Sequence, residues 1–172
     1  CIGFIYKSSY DKANRTSANA ARGIGMDEGL AIMARVRDEL GCPVLSDVHL
    51  PEQCAPAAEA LDVLQIPAFL CRQTDLVVAA AKTGKTVNIK KGQFLSAEAM
   101  EHAVTKVRES GNAKAWVTER GTTFGYQDLV VDFRGLQAMR AFAPTIMDLT
   151  HSLQQPNQAS GVTGGRPELI AH

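Results

Sequence analysis

Short apolar, β-branched runs alternate with longer amphipathic ones along almost the whole chain, and this alternation restricts the fold more than any other feature. The strand-like runs are IGFIYK (2–7), PVLSDVH (43–49), DVLQIPA (62–68), TVNIKKG (86–92), KAWVTERG (114–121) and PTIMDLTH (144–151). Between them lie the helix-like runs MDEGLAIMARVRDELG (26–41), PEQCAPAAEA (51–60), RQTDLVVAAAKTG (72–84), SAEAMEHAVTKVRESG (96–111) and GLQAMRAFA (135–143). In the first helix Leu30, Ile32, Met33, Val36 and Leu40 fall close to one stripe, and Gly41 stops it. Ser96 opens the fourth helix and Gly111 follows its last turn. The second is the weakest, because Pro56 sits inside it. Strands joined by crossover helices run parallel, so the chain predicts an α/β fold with a parallel sheet, in one domain over residues 1–172.

Two architectures satisfy that series: a doubly wound open sheet and a (β/α)8 barrel. The polar residues separate them. Each strand-like run ends in reactive side chains: Lys7; Asp47 and His49; Gln65; Lys90 and Lys91; Glu119 and Arg120; Asp148 and His151. In a barrel all strand C-termini converge on one mouth; in an open sheet the site gathers at a switch point. Six loaded strand ends favour a TIM barrel, and six strands are too few to close one. The chain starts at Cys1 inside an apolar run and stops at GGRPELIAH, so a piece of a longer protein is expected.

Composition excludes several classes. Eighteen basic and eighteen acidic side chains cancel, which gives no electrostatic footprint for nucleic acid or an anionic membrane. No apolar run reaches the roughly 18 residues of a transmembrane helix, and no signal peptide is recognisable. Hydrophobic residues make up 45% of the chain, enough for one sizeable core. Cys1, Cys42, Cys54 and Cys71 show no C-x-x-C or zinc spacing; reduced thiols in a cytoplasmic protein are expected. GKT at Gly84–Thr86 lacks the upstream glycine of a phosphate-binding P-loop.

The first strand runs directly into KSSYDKANRTS (7–17), a burst of three cations and four Ser and Thr hydroxyls without strand or helix periodicity. With it, the strand ends carry Lys7, Lys12, Arg15, Arg72, Lys90 and Arg120. Six cations at one mouth repel one another unless anions share the site, so phosphate or carboxylate ligands are the natural partners, two anionic groups better than one. The competing reading pairs each cation with a carboxylate such as Asp11, Asp47 or Glu119. His49 and His151 each follow a strand-terminal Asp and read either as metal ligand or proton carrier, or as histidines bonded to backbone. His102 falls on the solvent side of its helix.

KSSYDKANRTS, SDVHLPEQ, LQIPAFLCRQTDL, NIKKGQF, TERGTTFGY and DLTHSLQ together resemble the 3-deoxy-D-manno-octulosonate 8-phosphate synthases, also called 2-dehydro-3-deoxyphosphooctonate aldolases. The motifs occur in that family's order and span nearly the whole chain. The resemblance implies a homotetrameric (β/α)8 barrel, of which this chain would hold the second to seventh strands. It implies the condensation of phosphoenolpyruvate with D-arabinose 5-phosphate and water, giving the eight-carbon sugar acid phosphate of lipopolysaccharide inner-core synthesis and inorganic phosphate. C3 of the enol attacks the aldehyde, positive charge develops at C2, water adds there, and phosphate leaves with C–O cleavage.

Roles then follow by position. Lys12, Lys90 and Arg120 match residues holding the phosphate and carboxylate of phosphoenolpyruvate, with Gln65, Ala68 and Phe69 lining the same site. Asn14, Arg15 and Thr16 match the sugar-phosphate site. Arg72 matches an arginine that reaches a neighbouring subunit's sugar phosphate. Asp47 and His49 match residues near the reacting carbons, with Lys12 also taken as catalytic, and Lys7 stands at the mouth. The family has metal-dependent and metal-independent members; of the dependent class's ligands only the His is present, as His151, so no cofactor is assigned beyond a divalent metal in that class. Cys1, at the start of the second strand, does not match the ligand cysteine. Pro167 departs from the family's pattern.

Two other functions compete. KANRTS differs from the proline-containing motif of the seven-carbon synthases that use erythrose 4-phosphate. A non-catalytic phosphosugar-binding barrel is disfavoured by the intact Lys12, Lys90, Arg120 set. Lacking two strands, the 172-residue chain on its own is expected to be inactive and poorly soluble, because open sheet edges invite association.

Overall fold

The computed structural model describes residues 2–171; Cys1 lies outside the described residues. In chain order the elements are β1 (Tyr6–Lys7), α1 (Met26–Leu40), β2 (Val44–Asp47), α2 (Pro51–Ala60), β3 (Val63–Ile66), α3 (Thr74–Lys82), β4 (Thr86–Lys90), α4 (Glu101–Glu109) and β5 (Ala115–Glu119). A hairpin follows, β6 (Thr122–Phe124) and β7 (Asp128–Val130), then α5 (Phe133–Arg140), β8 (Thr145–Met147), α6 (Leu149–Ser152) and the short pair β9 (Gln154–Gln155) and β10 (Gly164–Gly165).

One parallel sheet runs in the order β1-β2-β3-β4-β5-β8. Its two faces differ in chemistry. Val44, Leu64, Ile66, Val87, Ile89 and Val117 join the helices in the apolar core. Alternate positions, Gln65, Asn88, Lys90 and Thr118, point to the other face and are polar yet buried. Strand periodicity of two explains the split. Lys7 beyond one edge and His151 beyond the other line the same cleft, so the sheet curls toward its polar face. Among the described residues β1 pairs only with β2 and β8 only with β5; Tyr6 and Ile146 on those outer strands are exposed, as are Phe4 and Ile5 just before β1. Among the described residues no helix is long and apolar enough to cross a membrane.

Several elements differ from the sequence reading. The first strand shrinks from 2–7 to Tyr6–Lys7, since only Tyr6 and Lys7 find partners, in Val44 and Leu45. The α2 helix forms despite Pro56, which faces solvent, so the carbonyl it leaves unpaired meets water. The fourth helix begins as a 3-10 turn at Glu98–Met100 before α4. The β6–β7 hairpin and the β9–β10 pair carry no clear strand pattern and follow from tertiary contacts. Cys42, Cys54 and Cys71 are free and buried, as expected, and burial pushes the Cys54 thiol up to about 11.

Candidate active site

The cleft at the strand C-termini has a volume of about 610 Å³. Its floor comes from the sheet and its rim from the 7–17 loop and the segment after α6. Tyr10, buried beneath the loop, anchors the rim: its carbonyl accepts from Gly25 N at 3.2 Å, and Lys12 N donates to Arg22 O at 2.6 Å. A Cβ on Gly23 would stand 2.4 Å from the Tyr10 carbonyl oxygen, and Gly23 holds φ +129°, so only glycine suits this close return.

The loop's polar side chains have definite places. Lys12 Nζ donates to Ser9 Oγ at 3.0 Å, and Ser9 Oγ donates to Asp47 Oδ2 at 2.8 Å. Lys7 Nζ lies 3.9 Å from the same carboxylate. Asn14, Arg15 and Thr16 line the cleft from the exposed rim. Asp11 does not neutralise a cleft cation; its carboxylate takes Arg22 at 2.5 Å and 2.9 Å.

Asp47, at the end of β2, accepts from Gln65 Nε2 at 2.5 Å. Burial acts to raise its pKa, but Lys7, Gln65 and Ser9 outweigh burial and hold the carboxyl below its ordinary value. His49 follows, with Nδ1 buried and unpartnered and its ring edge-on to Tyr10 at 6.5 Å between centroids. Burial lowers the His49 pKa, against the pull of Asp47 and Asp11, which favours the neutral ring. Gln53 fixes the turn by accepting from His49 N at 2.8 Å and Leu50 N at 3.2 Å.

On β4, Lys90 donates to the Asp148 carboxylate and lies 3.4 Å from His151 Nδ1. His151 Nδ1 is itself 2.7 Å from Asp148 Oδ2, and His151 N donates to Asp148 Oδ1 at 3.0 Å. Burial lowers the Lys90 pKa, partly offset by Asp148. Asp148 is held well below the carboxylate range, because His151 and Lys90 outweigh its burial. Arg120, 5% exposed, donates from Nη2 to Gln154 Oε1 at 2.8 Å, while Nη1 is buried without a partner. A guanidinium with half of its fork unmatched, on a residue that lines a cleft, has the donor geometry that suits an anion. Ala68 and Phe69 complete the lining beside Gln65.

The sequence profile described as the DAHP synthetase I family matches residues 2–171. The chain belongs to the DAHP synthetase I family. Among curated relatives, a 2-dehydro-3-deoxyphosphooctonate aldolase of Koribacter versatilis (strain Ellin345) is 60% identical over 172 residues, which is 98% of this chain and 62% of that protein. Proteins of the same name from Bartonella quintana (strain Toulouse) and Trichlorobacter lovleyi (strain ATCC BAA-1151 / DSM 17278 / SZ) are 57% and 61% identical over 98% and 96% of the chain. The chain spans 61% or 62% of the length of these relatives.

Within this DAHP synthetase I family member, three sequence expectations need correction. Arg72 does not line the cleft; it is exposed, and its carbonyl accepts from Lys106 Nζ at 3.3 Å. The chain turns outward after the 3-10 turn at Ala68–Leu70, which carries Arg72 away from the mouth. Lys91 and Glu119 also turn away from the cleft. They pair with each other at 3.4 Å, and Lys91 Nζ donates to Thr122 Oγ1 at 2.9 Å, while Glu119 accepts from Arg120 N and Gly121 N. This buried pair anchors the turn from β5 into the hairpin.

The metal expectation gains no ligand set. Among the described residues no three or more His, Cys, Asp or Glu are grouped to hold a metal ion, and Nδ1 of His151 is engaged by Asp148. The residues present supply one donor of such a set, His151.

Sequence reasoning missed the polar residues that act between strands: Ser9, Asn88 and Thr118. Asn88 Nδ2 donates to Gln65 Oε1 at 2.9 Å, and Thr118 Oγ1 donates to Asn88 Oδ1 at 2.8 Å. A signal existed in the polar residues at core positions of otherwise apolar strands, Asn88 in TVNIK and Thr118 in AWVTE. Gln154, Val162 and Thr163 also line the cleft, from a segment without periodicity.

Proposed function

We propose that this chain is the site-bearing part of a 3-deoxy-D-manno-octulosonate 8-phosphate synthase, condensing phosphoenolpyruvate with D-arabinose 5-phosphate and water to the eight-carbon sugar acid phosphate and inorganic phosphate. The observation that carries this reading is the convergence of Lys12, Lys90 and Arg120 on one cleft with Asn14 and Arg15 at its rim, Arg120 keeping a buried, unpartnered guanidinium nitrogen. Two zones of positive charge in one cleft suit two phosphorylated substrates.

Lys12, Lys90 and Arg120 hold the phosphate and carboxylate of phosphoenolpyruvate, and Gln65 with Ala68 and Phe69 flank it. Asn14, Arg15 and Thr16 hold the sugar phosphate, and Lys7 sets the charge beside Asp47. Held together, C3 of the enol meets the sugar aldehyde, a gain of positioning rather than of covalent catalysis. Positive charge at C2 develops beside the Asp47 carboxylate. Neutral His49, with Nδ1 open, accepts a proton from the water that adds at C2, and phosphate leaves on the cationic side.

The curling sheet and its two free edges support a complete (β/α)8 barrel of which these six strands are the second to seventh. Arg72, exposed outside its own cleft, is assigned to a neighbouring subunit's sugar phosphate in a homotetramer. On this reading the enzyme acts in the cytoplasm and serves lipopolysaccharide inner-core synthesis.

The test is phosphate release by the full-length polypeptide with phosphoenolpyruvate and either D-arabinose 5-phosphate or erythrose 4-phosphate. Faster turnover with the five-carbon sugar is expected, and Lys90→Ala abolishes phosphoenolpyruvate binding by calorimetry. Turnover with erythrose 4-phosphate alone would move the assignment to the seven-carbon reaction, and binding without turnover would reduce it to a phosphosugar-binding barrel.

A further inference from the structure

The polar face of the sheet carries a continuous chain of hydrogen bonds in one direction. Thr118 Oγ1 on β5 donates to Asn88 Oδ1 on β4 at 2.8 Å. Asn88 Nδ2 donates to Gln65 Oε1 on β3 at 2.9 Å, and Gln65 Nε2 donates to Asp47 Oδ1 on β2 at 2.5 Å. Gln65, Asn88 and Thr118 are 4%, 2% and 3% exposed, so water cannot replace a lost partner at low cost. Strand register places the first three, Asp47 opposite Gln65 and Gln65 opposite Asn88, while Thr118 reaches Asn88 diagonally from its place opposite Lys90.

We propose that Asn88 and Thr118 are positioning residues of the cleft: with Gln65 they form a hydrogen-bond ladder whose direction is set by the charge on Asp47, so that the Gln65 amide presents N–H rather than oxygen. An amide has one donating and one accepting end, and a hydroxyl can do either. The ladder is therefore satisfied in two senses only. With Asp47 ionised, an acceptor alone, every rung donates toward it. With Asp47 protonated on Oδ1, that O–H donates to Gln65 Oε1, both amides turn over, and Thr118 Oγ1 accepts from Asn88 instead. Mixed arrangements place two oxygens or two N–H groups face to face in a buried site. In the first sense the second N–H of Gln65 remains for an anion in the cleft; in the second the cleft meets a carbonyl oxygen.

The groups facing Asp47 favour the first sense. Lys7 approaches from β1, Ser9 donates from the loop with Lys12 behind it, and His49 lies on the strand's own continuation with Asp11 beyond it. The ladder adds a partner that works only while its two outer rungs hold their direction. Its link to substrate rests on the function proposed above; its link to Asp47 does not.

Asn88→Asp in the full-length polypeptide tests this. An ionised Asp at 88 accepts only, so it competes with Asp47 for the single Gln65 NH2 group. Carbon-13 labelling of aspartate side chains, with Asp47→Asn to assign the signal, follows the Asp47 carboxyl through a pH titration. Asn88→Asp is expected to raise the Asp47 midpoint by about one pH unit or more, a tenfold change in proton affinity. Thr118→Val, which keeps shape and removes the end rung, raises it less, and Thr118→Ser restores it. An unchanged midpoint in both Asn88→Asp and Thr118→Val would overturn the ladder; Thr118→Val alone decides if Asn88→Asp does not fold. Calorimetry with phosphoenolpyruvate is the second readout, with weaker binding expected wherever the midpoint rises. Failure of the unsubstituted protein to bind phosphoenolpyruvate would sink the substrate assignment and leave the titration result standing.

Discussion

Lys90 and Asp148 meet across β5: the ammonium at the end of β4 donates to the carboxylate just past β8, two strands away in the sheet. Both side chains are largely buried, at 8% and 18% exposure. Removing one partner of such a pair leaves an uncompensated charge. Asp148→Asn is expected to destabilise the folded protein by about 3 kcal/mol, as read from denaturant unfolding. On the function proposed above, the same variant should shift alkaline loss of phosphoenolpyruvate binding to lower pH, since Lys90 loses the carboxylate that sustains its charge.

Arg120 lines the cleft and keeps a buried, unpartnered Nη1. Lysine keeps the charge but not the planar fork. Arg120→Lys should weaken phosphoenolpyruvate binding by roughly tenfold to a hundredfold, the worth of one charge-assisted hydrogen bond at about 1.5–3 kcal/mol. Calorimetry measures it, and unchanged affinity would remove Arg120 from the anion site.

The Lys91–Glu119 pair predicts the opposite pattern, because it lies away from the cleft. Lys91→Met should cost about 3–5 kcal/mol of stability by leaving Glu119 without its cation. Affinity for phosphoenolpyruvate should change far less than stability does. A large loss of affinity in a protein of normal stability would show that Lys91 serves the ligand directly.

Acid and alkali act on different groups. Asp47 and Asp148 both have folded pKa values below their ordinary ones. Their contribution to stability is complete above the unfolded carboxylate value of about 3.9 and is lost as pH falls through the folded values. Lys12 and Lys90 are lowered, the first by desolvation and by Lys7 and Arg15, the second chiefly by burial. Anion binding should therefore fade on the alkaline side below the free lysine value of about 10.4. Binding titrations across pH check both limbs; an alkaline midpoint at or above the free lysine value would contradict the lowered ammonium groups.

The strand–helix alternation was legible because burial imposes period two on strands and a 3.6-residue stripe on helices. The cleft cations were legible too, since six strand ends loaded with polar or charged side chains have few arrangements other than a common mouth. The sequence by itself thus determined a parallel α/β sheet and a cationic mouth at its strand ends, lined by Lys12, Lys90 and Arg120. Only the tertiary structure decided which neighbouring charge faces inward. Lys90 enters the cleft while Lys91, its neighbour, is buried behind it, and Arg72 leaves the mouth altogether. It alone aligned Thr118, Asn88, Gln65 and Asp47 as rungs of one ladder. Those residues lie on four different strands, and their contact depends on register and curl, which are set by pairing between distant segments rather than by any local pattern.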